Sequence, residues 1–339
     1  NQFMKTENIA ERILWNPLKK SADKLIIISN YATPATLGWF IEQLIEHKVH
    51  KIAIELFLSM TATEGIKQDT HNAFIKMIKD SKKDYIKKVI TSLHCSYLYN
   101  TTFNDVIYIW EKNGRPIQAF QGNASFTLST FLDKNHQCLM TTFSLEEAYK
   151  IYQDCIDNSI YCNHSEIEEH IKILKSHYSF DNEHNCLTNN QNKYIEKRTF
   201  SLLKSGKSEI GARSSLNWGQ RNNRDHNQAY IPIHAKCNAK DFFPSHEYFF
   251  ALTDDKHSLL LRVEQERNKA ITTPLSNALL GEYFRYRLGL PNGANITTAD
   301  LEKYGRTTVT FYKIDDELYY MDFSPDTVEK ENEQLKLFN

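Results

Sequence analysis

The sequence predicts two domains: an α/β sandwich on a mixed sheet in the first half and an all-β module in the second. Three observations predict this. The chain has 339 residues, too long for one ordinary domain and suited to two. Its first half alternates β-branched runs with amphipathic helical stretches, the pattern of strands covered by helices. Its second half breaks into short strand-like runs separated by turn residues. Aromatic residues make up 12% of the chain, with 18 Tyr and 19 Phe, so each half can bury a sizeable core.

The elements follow in order. "DKLIIISNYA" is a short buried strand, and Thr33-Pro34 then opens a helix with Leu37, Phe40, Ile41, Leu44 and Ile45 on one face. "HKIAIELFLSM" is a second strand, followed by an amphipathic helix in "THNAFIKMIKDSKKDYIKKV". Strands continue at "VITSLHCSYLY", "DVIYIWEKNG", "PIQAFQGNAS" and "QCLMTTF", with Asn113-Gly114 as a tight turn. Ser144 caps the helix that begins "SLEEAYKIYQ", with Glu147 at the capping-box position. The polar stretch "SFDNEHNCLTNNQN" reads as an interdomain linker. Beyond it, "AYIPIHA", "EYFFALT", "HSLLLRVEQ", "RTTVTFYKI" and "ELYYMDF" read as strands, with Asp315-Asp316 turning between the last two. One helix, "LSNALLGEYFRYRLGL", interrupts them and ends in a glycine cap.

Composition narrows the function. The formal net charge is -1, so a nucleic-acid partner would need a local patch rather than bulk charge. The six cysteines, Cys95, Cys138, Cys155, Cys162, Cys186 and Cys237, show no regular spacing, which suits reduced thiols in a cytoplasmic protein. No apolar run approaches a membrane span and the first residues carry no secretory pattern, so a soluble intracellular chain with no membrane partner is expected.

A patch does exist. From Lys193 to Arg224 there are eight basic residues (Lys193, Lys197, Arg198, Lys204, Lys207, Arg213, Arg221 and Arg224), opposed only by Glu196 and Glu209. Arg285, Arg287 and Arg306 form a second set. Arginine among Asn, Gln and Trp suits DNA, because guanidinium and amide groups contact base edges while cations neutralise phosphate. A solvated basic face beside a linker accounts for the same charges equally well.

Within this region "LNWGQRNNRDHNQAYIPIH", "FFPSHEYFFALTDD" and "LLGEYFRYRLGLPNGANITTADLEKYGRTTVTFYKIDDELYYMDFS" resemble the C-terminal half of the NgoFVII family of restriction endonucleases. The resemblance covers about residues 195–325 and implies a B3-like pseudobarrel that grips double-stranded DNA with two arms. It puts Asn217, Trp218, Gln220, Arg221 and Arg224 on one arm and Arg285, Arg287 and Arg306 on the other. Lys269, in the loop "EQERNKAITTP", is expected to touch phosphate.

The family joins this reader to a phospholipase D-like nuclease domain, whose HxK and GSxN motifs lie on neighbouring strands. The resemblance implies metal-free, cofactor-free chemistry. A histidine attacks the phosphodiester, water hydrolyses the phosphohistidine, and lysine and asparagine stabilise the transition state. It places His94 of "SLHCSYLYN" on the nucleophile and Ser96 where the lysine belongs. In "GNAS", Asn123 stands at the serine and Ser125 at the asparagine, and Gln137 takes the place of an acidic residue. Lys51, Lys112 or Arg115 would have to supply the missing cation. The departures leave two readings open: a metal-independent restriction endonuclease, and a sequence-specific DNA-binding protein with a silent nuclease fold.

The implied layout is a nuclease domain at 1–160, a helical and polar linker at 161–194, a B3-like domain at 195–328 and a tail at 329–339. Implied partners are DNA, a second copy through the N-terminal domain, and a cognate methyltransferase or NTPase. Taken alone, His94 among apolar residues reads as a core histidine. The literal HxK at His234 and Lys236 sits inside the β module and reads as a decoy. Cys162, His164, His170, His177, His184 and Cys186 have no compact ligand spacing, so no metal is expected.

Overall fold

The computed structural model describes residues 3–5, 9–175, 178–181, 183–184, 186–191, 193–264 and 269–326. The expected tail at 329–339, His177 and residues 265–268 of the expected surface loop lie outside the described residues. The chain divides into two compact units, 1–177 and 178–339.

The N-terminal unit is an α/β structure on one eight-stranded mixed sheet. Its strands are β1 (Phe3–Lys5), β2 (Lys24–Ser29), β3 (Ile52–Leu58), β4 (Ile90–Leu98), β5 (Val106–Lys112), β6 (Arg115–Gly122), β7 (Gln137–Thr142) and β8 (Ser159–Tyr161), in the spatial order β1-β7-β6-β5-β2-β3-β4-β8. β2, β3 and β4 run parallel, and the others are antiparallel to their neighbours. Leu25 to Ile28 are buried completely, as expected of a central strand covered on both faces. Asn113 and Gly114 both take positive φ (50° and 75°), so β5 and β6 form a tight hairpin and must be neighbours.

Helices cover both faces. α1 (Pro34–Glu46) starts at Pro34 after extended Thr33, and α2 (Gln68–Asp80) ends shorter than expected, a separate turn at Asp84–Lys87 following it. α3 (Leu145–Asp157) begins at Ser144, whose hydroxyl accepts the Glu147 N–H at 3.4 Å. Its Ala148, Tyr152 and Cys155 pack on Ile26, Ile28, Phe57, Leu98, Ile107, Ile109 and Ala119. That contact fixes which face of β3 and β4 looks toward α3.

The C-terminal unit is a nearly closed seven-stranded sheet. Its strands are β9 (Lys197–Ser201), β10 (Ile231–Pro232), β11 (Tyr248–Thr253), β12 (Ser258–Glu264), β13 (Ala270–Thr272), β14 (Thr308–Lys313) and β15 (Leu318–Asp322), in the order β9-β14-β15-β11-β12-β13-β10. The end strands β9 and β10 lie close to each other, which all but shuts the barrel. Phe200, Phe242, Phe249, Phe311 and Tyr319 fill it, with Leu280 and Phe284 from α4 (Ala278–Leu288). α4 ends at Gly289 (φ 68°), the expected cap.

Two features differ from the sequence reading. A second helix, α5 (Thr298–Tyr304), starts at a reciprocal capping box between Thr297 and Asp300, a signal that the reading for a single helix passed over. The stretch read as a linker carries a hairpin of Tyr178–Asp181 with Cys186–Asn189.

Candidate functional site

β2 and β3 run toward one end of the sheet, and the β5–β6 hairpin both enters and leaves at that end. The registers Ile28↔Ile107 and Val106↔Gly122 bring Asn30, the segment Asn104–Asp105–Val106 and the segment Gly122–Ser125 together there. Gly122 is required by close approach, because a Cβ would meet the Leu139 carbonyl oxygen at 1.8 Å. The side chains on this end are tied to the protein. Asn123 Oδ1 accepts the Leu139 N–H at 2.8 Å, Ser125 Oγ donates to Asn30 Oδ1 at 2.6 Å, and Asp105 accepts Gln121 Nε2 at 2.6 Å. Asn104 is exposed and Val106 fully buried.

His94 is not there. It lies midway along β4, opposite Glu55 in register, and β3, β2 and β5 stand between β4 and β6. At roughly 4.8 Å per strand, the separation across the sheet is about 19 Å. The expectation that His94 and Ser96 share a site with Asn123 and Ser125 is therefore corrected. The Asn113-Gly114 hairpin makes β5 the neighbour of the "GNAS" strand, and β5 opens on Asn104–Val106. Gln137 starts β7, exposed and opposite Lys5, with Met140 and not Gln137 facing Gly122. Lys112 and Arg115 pair at the closed end of the hairpin, and Lys51 precedes β3, so none of these cations reaches Gly122–Ser125.

His94 and Ser96 point instead to a separate pocket of about 340 Å³, walled by Glu55, Tyr152, Ile156, Ser159, Tyr161 and His164. His94 is exposed at its mouth and Ser96 is buried in it. Glu55 is held from behind, with Lys24 Nζ at 3.0 Å from Oε1 and Tyr152 donating to Oε2 at 2.6 Å. A second buried carboxylate, Glu111, lies 3.9 Å from the same ammonium. Burial opposes the Lys24 charge, but the bond and charge of Glu55 and the charge of Glu111 outweigh it and raise its pKa. Burial first, then Glu55, raises the Tyr152 phenol far above its usual value, so it stays a donor.

In the C-terminal unit the candidates split into two groups. Asn217 is fully buried, donating to the Gly211 and Ile296 carbonyls at 3.0 and 2.7 Å and accepting the Ile296 N–H at 2.8 Å. Arg285, also fully buried, donates to the carbonyls of Ala294, Gly281 and Leu216. Arg287 is paired with Asp254 at 2.6 Å, which together with Tyr283 outweighs burial and raises its pKa. Arg306 is buried against Asp322 at 3.0 Å, and Gln220 donates to the His226 and Gly293 carbonyls. Of these five expected DNA contacts, Asn217, Arg285, Arg287 and Arg306 have their polar groups turned inward, so the second arm expected from Arg285, Arg287 and Arg306 is not presented as a free cationic surface, while Gln220 is half-buried.

Arg221, Arg224 and Lys269 do stand exposed. Arg224 stacks over the half-buried Trp218 ring at 4.3 Å, while its Nη1 donates to Gln228 at 3.0 Å. Arg221 Nε holds the Arg213 carbonyl at 2.9 Å, which leaves its terminal nitrogens for a ligand. Lys207 and Arg213 are exposed as well, Arg213 tied to Arg221 through that bond, and Trp218 backs Arg224.

The decoys resolve simply. His234 Nε2 lies 3.1 Å from the Leu203 carbonyl oxygen. Cys162 is buried beside Cys95, and the His170 ring lies 4.8 Å from that of Tyr99, tilted by 41°. Among the described residues only Asp181, Glu183 and His184 gather within metal-ligand reach, on the surface and as parts of one turn. Sequence reading missed Asn30, Asn104, Asp105, Glu55, Tyr152 and Tyr161. The hairpin signal was enough to find Asn104 and Asp105, whereas Glu55 needed the strand order.

Residues 7–169 match the NgoFVII restriction endonuclease N-terminal PLD domain, and residues 190–315 match the NgoFVII C-terminal B3-like DNA-binding domain. Among solved structures, NucT from Helicobacter pylori is similar at 14% identity over 47% of this chain and 97% of that one, with a TM-score of 0.30. No curated protein matches the chain.

Proposed function

The chain belongs to the NgoFVII family of restriction endonucleases, and from that membership we propose that it is a sequence-specific double-stranded DNA-binding protein whose nuclease domain is silent at the family's catalytic position. By family it has the build of a DNA nuclease, a phospholipase D-type domain followed by a B3-like DNA-binding domain. One observation carries the silent reading. The strand paired with the "GNAS" strand opens on Asn104–Asp105–Val106, so the neighbouring-strand position of HxK holds neither histidine nor lysine. Amide and isopropyl groups provide no nucleophile and no cation. Removing even one charge-stabilising donor costs roughly 10²–10³ in rate, and here nucleophile and cation are both replaced.

DNA binding in this reading rests on the exposed loop. Arg221 and Arg224 contact base edges, Trp218 orients Arg224, and Lys207, Arg213 and Lys269 meet phosphate. A second copy through the N-terminal domain and a cognate methyltransferase or NTPase are the partners this reading takes over from the family. Among the described residues no helix is long and apolar enough to cross a membrane.

A second reading, metal-free cutting with His94 as nucleophile, is favoured by the exposure of His94 at the mouth of its pocket. The register neighbour of His94 is the Glu55 carboxylate, which repels a phosphodiester, and Lys24 is already engaged by Glu55. The test incubates purified protein and its His94→Ala variant with unmethylated DNA in excess EDTA, beside a binding assay. Retention of specific DNA by both proteins without cutting is expected. Site-specific cutting by the wild type that His94→Ala abolishes would overturn the silent reading in favour of the second.

A further inference from the structure

The pocket beside His94 lies in the N-terminal unit, and its polar groups are arranged for a ligand. Glu55 lines it, and its carboxylate offers about four acceptor positions. Lys24 and Tyr152 occupy one on each oxygen, from the sheet and from α3, at 3.0 and 2.6 Å. The remaining lone pairs present a fixed double acceptor. The rim supplies a flat surface: Tyr161 is 53% exposed, and its ring centroid lies 5.3 Å from that of His94 at 41°. A complementary donor is fixed by the chain itself. The Glu166 N–H binds His164 Nδ1 at 3.1 Å, which puts the proton of the neutral ring on Nε2. The Ser96 hydroxyl adds a group that can donate or accept.

Charge decides against an anion. Glu55 and Glu111 face the single ammonium of Lys24, so the local balance of these three groups is negative and disfavours a phosphate in the pocket. The volume of about 340 Å³ lies at the small end of ligand pockets, which suits one ring system rather than a long chain. The requirements are thus a planar aromatic ring with two adjacent N–H donors on one edge and an acceptor next to them. Among the DNA bases only guanine has this edge, with its ring N–H and amino group side by side and a carbonyl beyond.

We propose that this pocket binds a guanine base, with the ring N–H and amino group on Glu55, the ring against Tyr161 and His94, and the carbonyl taken by His164 or Ser96. The base comes either from a free guanine nucleotide or from an unpaired guanine in DNA.

The experiment titrates guanosine monophosphate into the full-length protein by calorimetry, with adenosine and cytidine monophosphates alongside. Saturable binding of the guanine nucleotide is expected, with the other two weaker by about tenfold or more, the cost of one unmatched hydrogen-bonding group. Tyr161→Ala, an exposed change that leaves the melting midpoint in place, and Glu55→Gln are each expected to weaken it by about tenfold. Absence of saturable binding up to about 1 mM, equal binding of the adenine nucleotide, or no effect of either variant would overturn the proposal. Displacement of the nucleotide by a duplex bearing a single bulged guanine, and not by the same duplex fully paired, assigns the ligand to DNA. Retention of the nucleotide against both duplexes assigns it to the free pool. The proposal does not rest on the silent reading, since nucleotide binding and DNA cutting are measured separately.

Discussion

In the N-terminal unit, Gly122–Ser125 keeps its glycine and its place against the neighbouring strand, while Asn123 and Ser125 bond to Leu139 and Asn30. In the C-terminal unit, the arginines of "LLGEYFRYRLGL" keep their chemistry but turn inward, onto the carbonyls of Ala294, Gly281 and Leu216 and onto Asp254. The first region holds a tight backbone approach and ties its polar side chains to the protein. The second keeps arginine side chains in structural use, and a different loop holds the exposed cations. A motif's presence therefore says little about its use until the partners of each side chain are known. Guanidinium is the group best suited to either role, because it stays charged under burial and can satisfy several carbonyls at once.

The comparison can be broken most sharply at Arg285. Arg285→Leu removes the guanidinium's bonds to the Ala294, Gly281 and Leu216 carbonyls, an expected loss of about 3 kcal/mol or more of stability. Denaturant midpoints with hydrogen exchange on the C-terminal amides measure it. A variant that stays stable but binds DNA weakly would make Arg285 a reading residue after all. In the N-terminal unit, Gly122→Ala must push Cβ against the Leu139 carbonyl, and about 1–3 kcal/mol of destabilisation is expected in the same assay. A neutral result would remove the packing reason for the glycine of "GNAS".

Exposed cations should behave in the opposite way. Arg224→Ala is expected to cost about 1–3 kcal/mol in specific DNA binding while stability stays within about 0.5 kcal/mol. Equal loss on specific and random DNA, with a shallower salt dependence, would make it a phosphate contact instead. His94→Ala, at an exposed position, is expected to change DNA affinity and stability by less than about 0.5 kcal/mol.

A smaller effect concerns pH. His71 is buried against Tyr97, and burial lowers its pKa below the ordinary 6.5 of a free histidine, with Glu168 opposing in part. The unfolded chain then holds the proton more tightly than the folded one. Its contribution is fully present above pH 6.5 and declines as pH falls toward the lower folded value. The urea midpoint should drop between neutral and mildly acidic buffer, and His71→Gln should flatten that drop. An unchanged slope would show that other groups carry the acid sensitivity.

Much of this molecule was legible in the sequence. Alternation of apolar runs marked the strands, Thr33-Pro34 and Ser144 marked helix starts, and Gly289 marked a helix end, because these signals act over a few residues. The family blocks around Leu216–Ile233 and Leu279–Ser324 were legible too, and they carry the DNA-binding expectation. Even the correction of His94 was present locally: Asn113-Gly114 pairs the "GNAS" strand with the one beginning at Val106. His94 matches the motif by residue type alone, on a strand that this hairpin does not pair with "GNAS".

The sequence by itself thus determined the two fold classes, the Asn113-Gly114 hairpin, and the residue types at Asn104–Val106 and Gly122–Ser125 that the hairpin pairs. These depend on local backbone preference and residue identity. Only the tertiary structure decided which arginines are free to touch DNA, and that Glu55, His94, Tyr152 and Tyr161 share a pocket. Burial and strand order are set by contacts between residues far apart in the chain, and no short-range pattern records them. That is why Arg285 and Arg224 look alike as letters and differ completely in use.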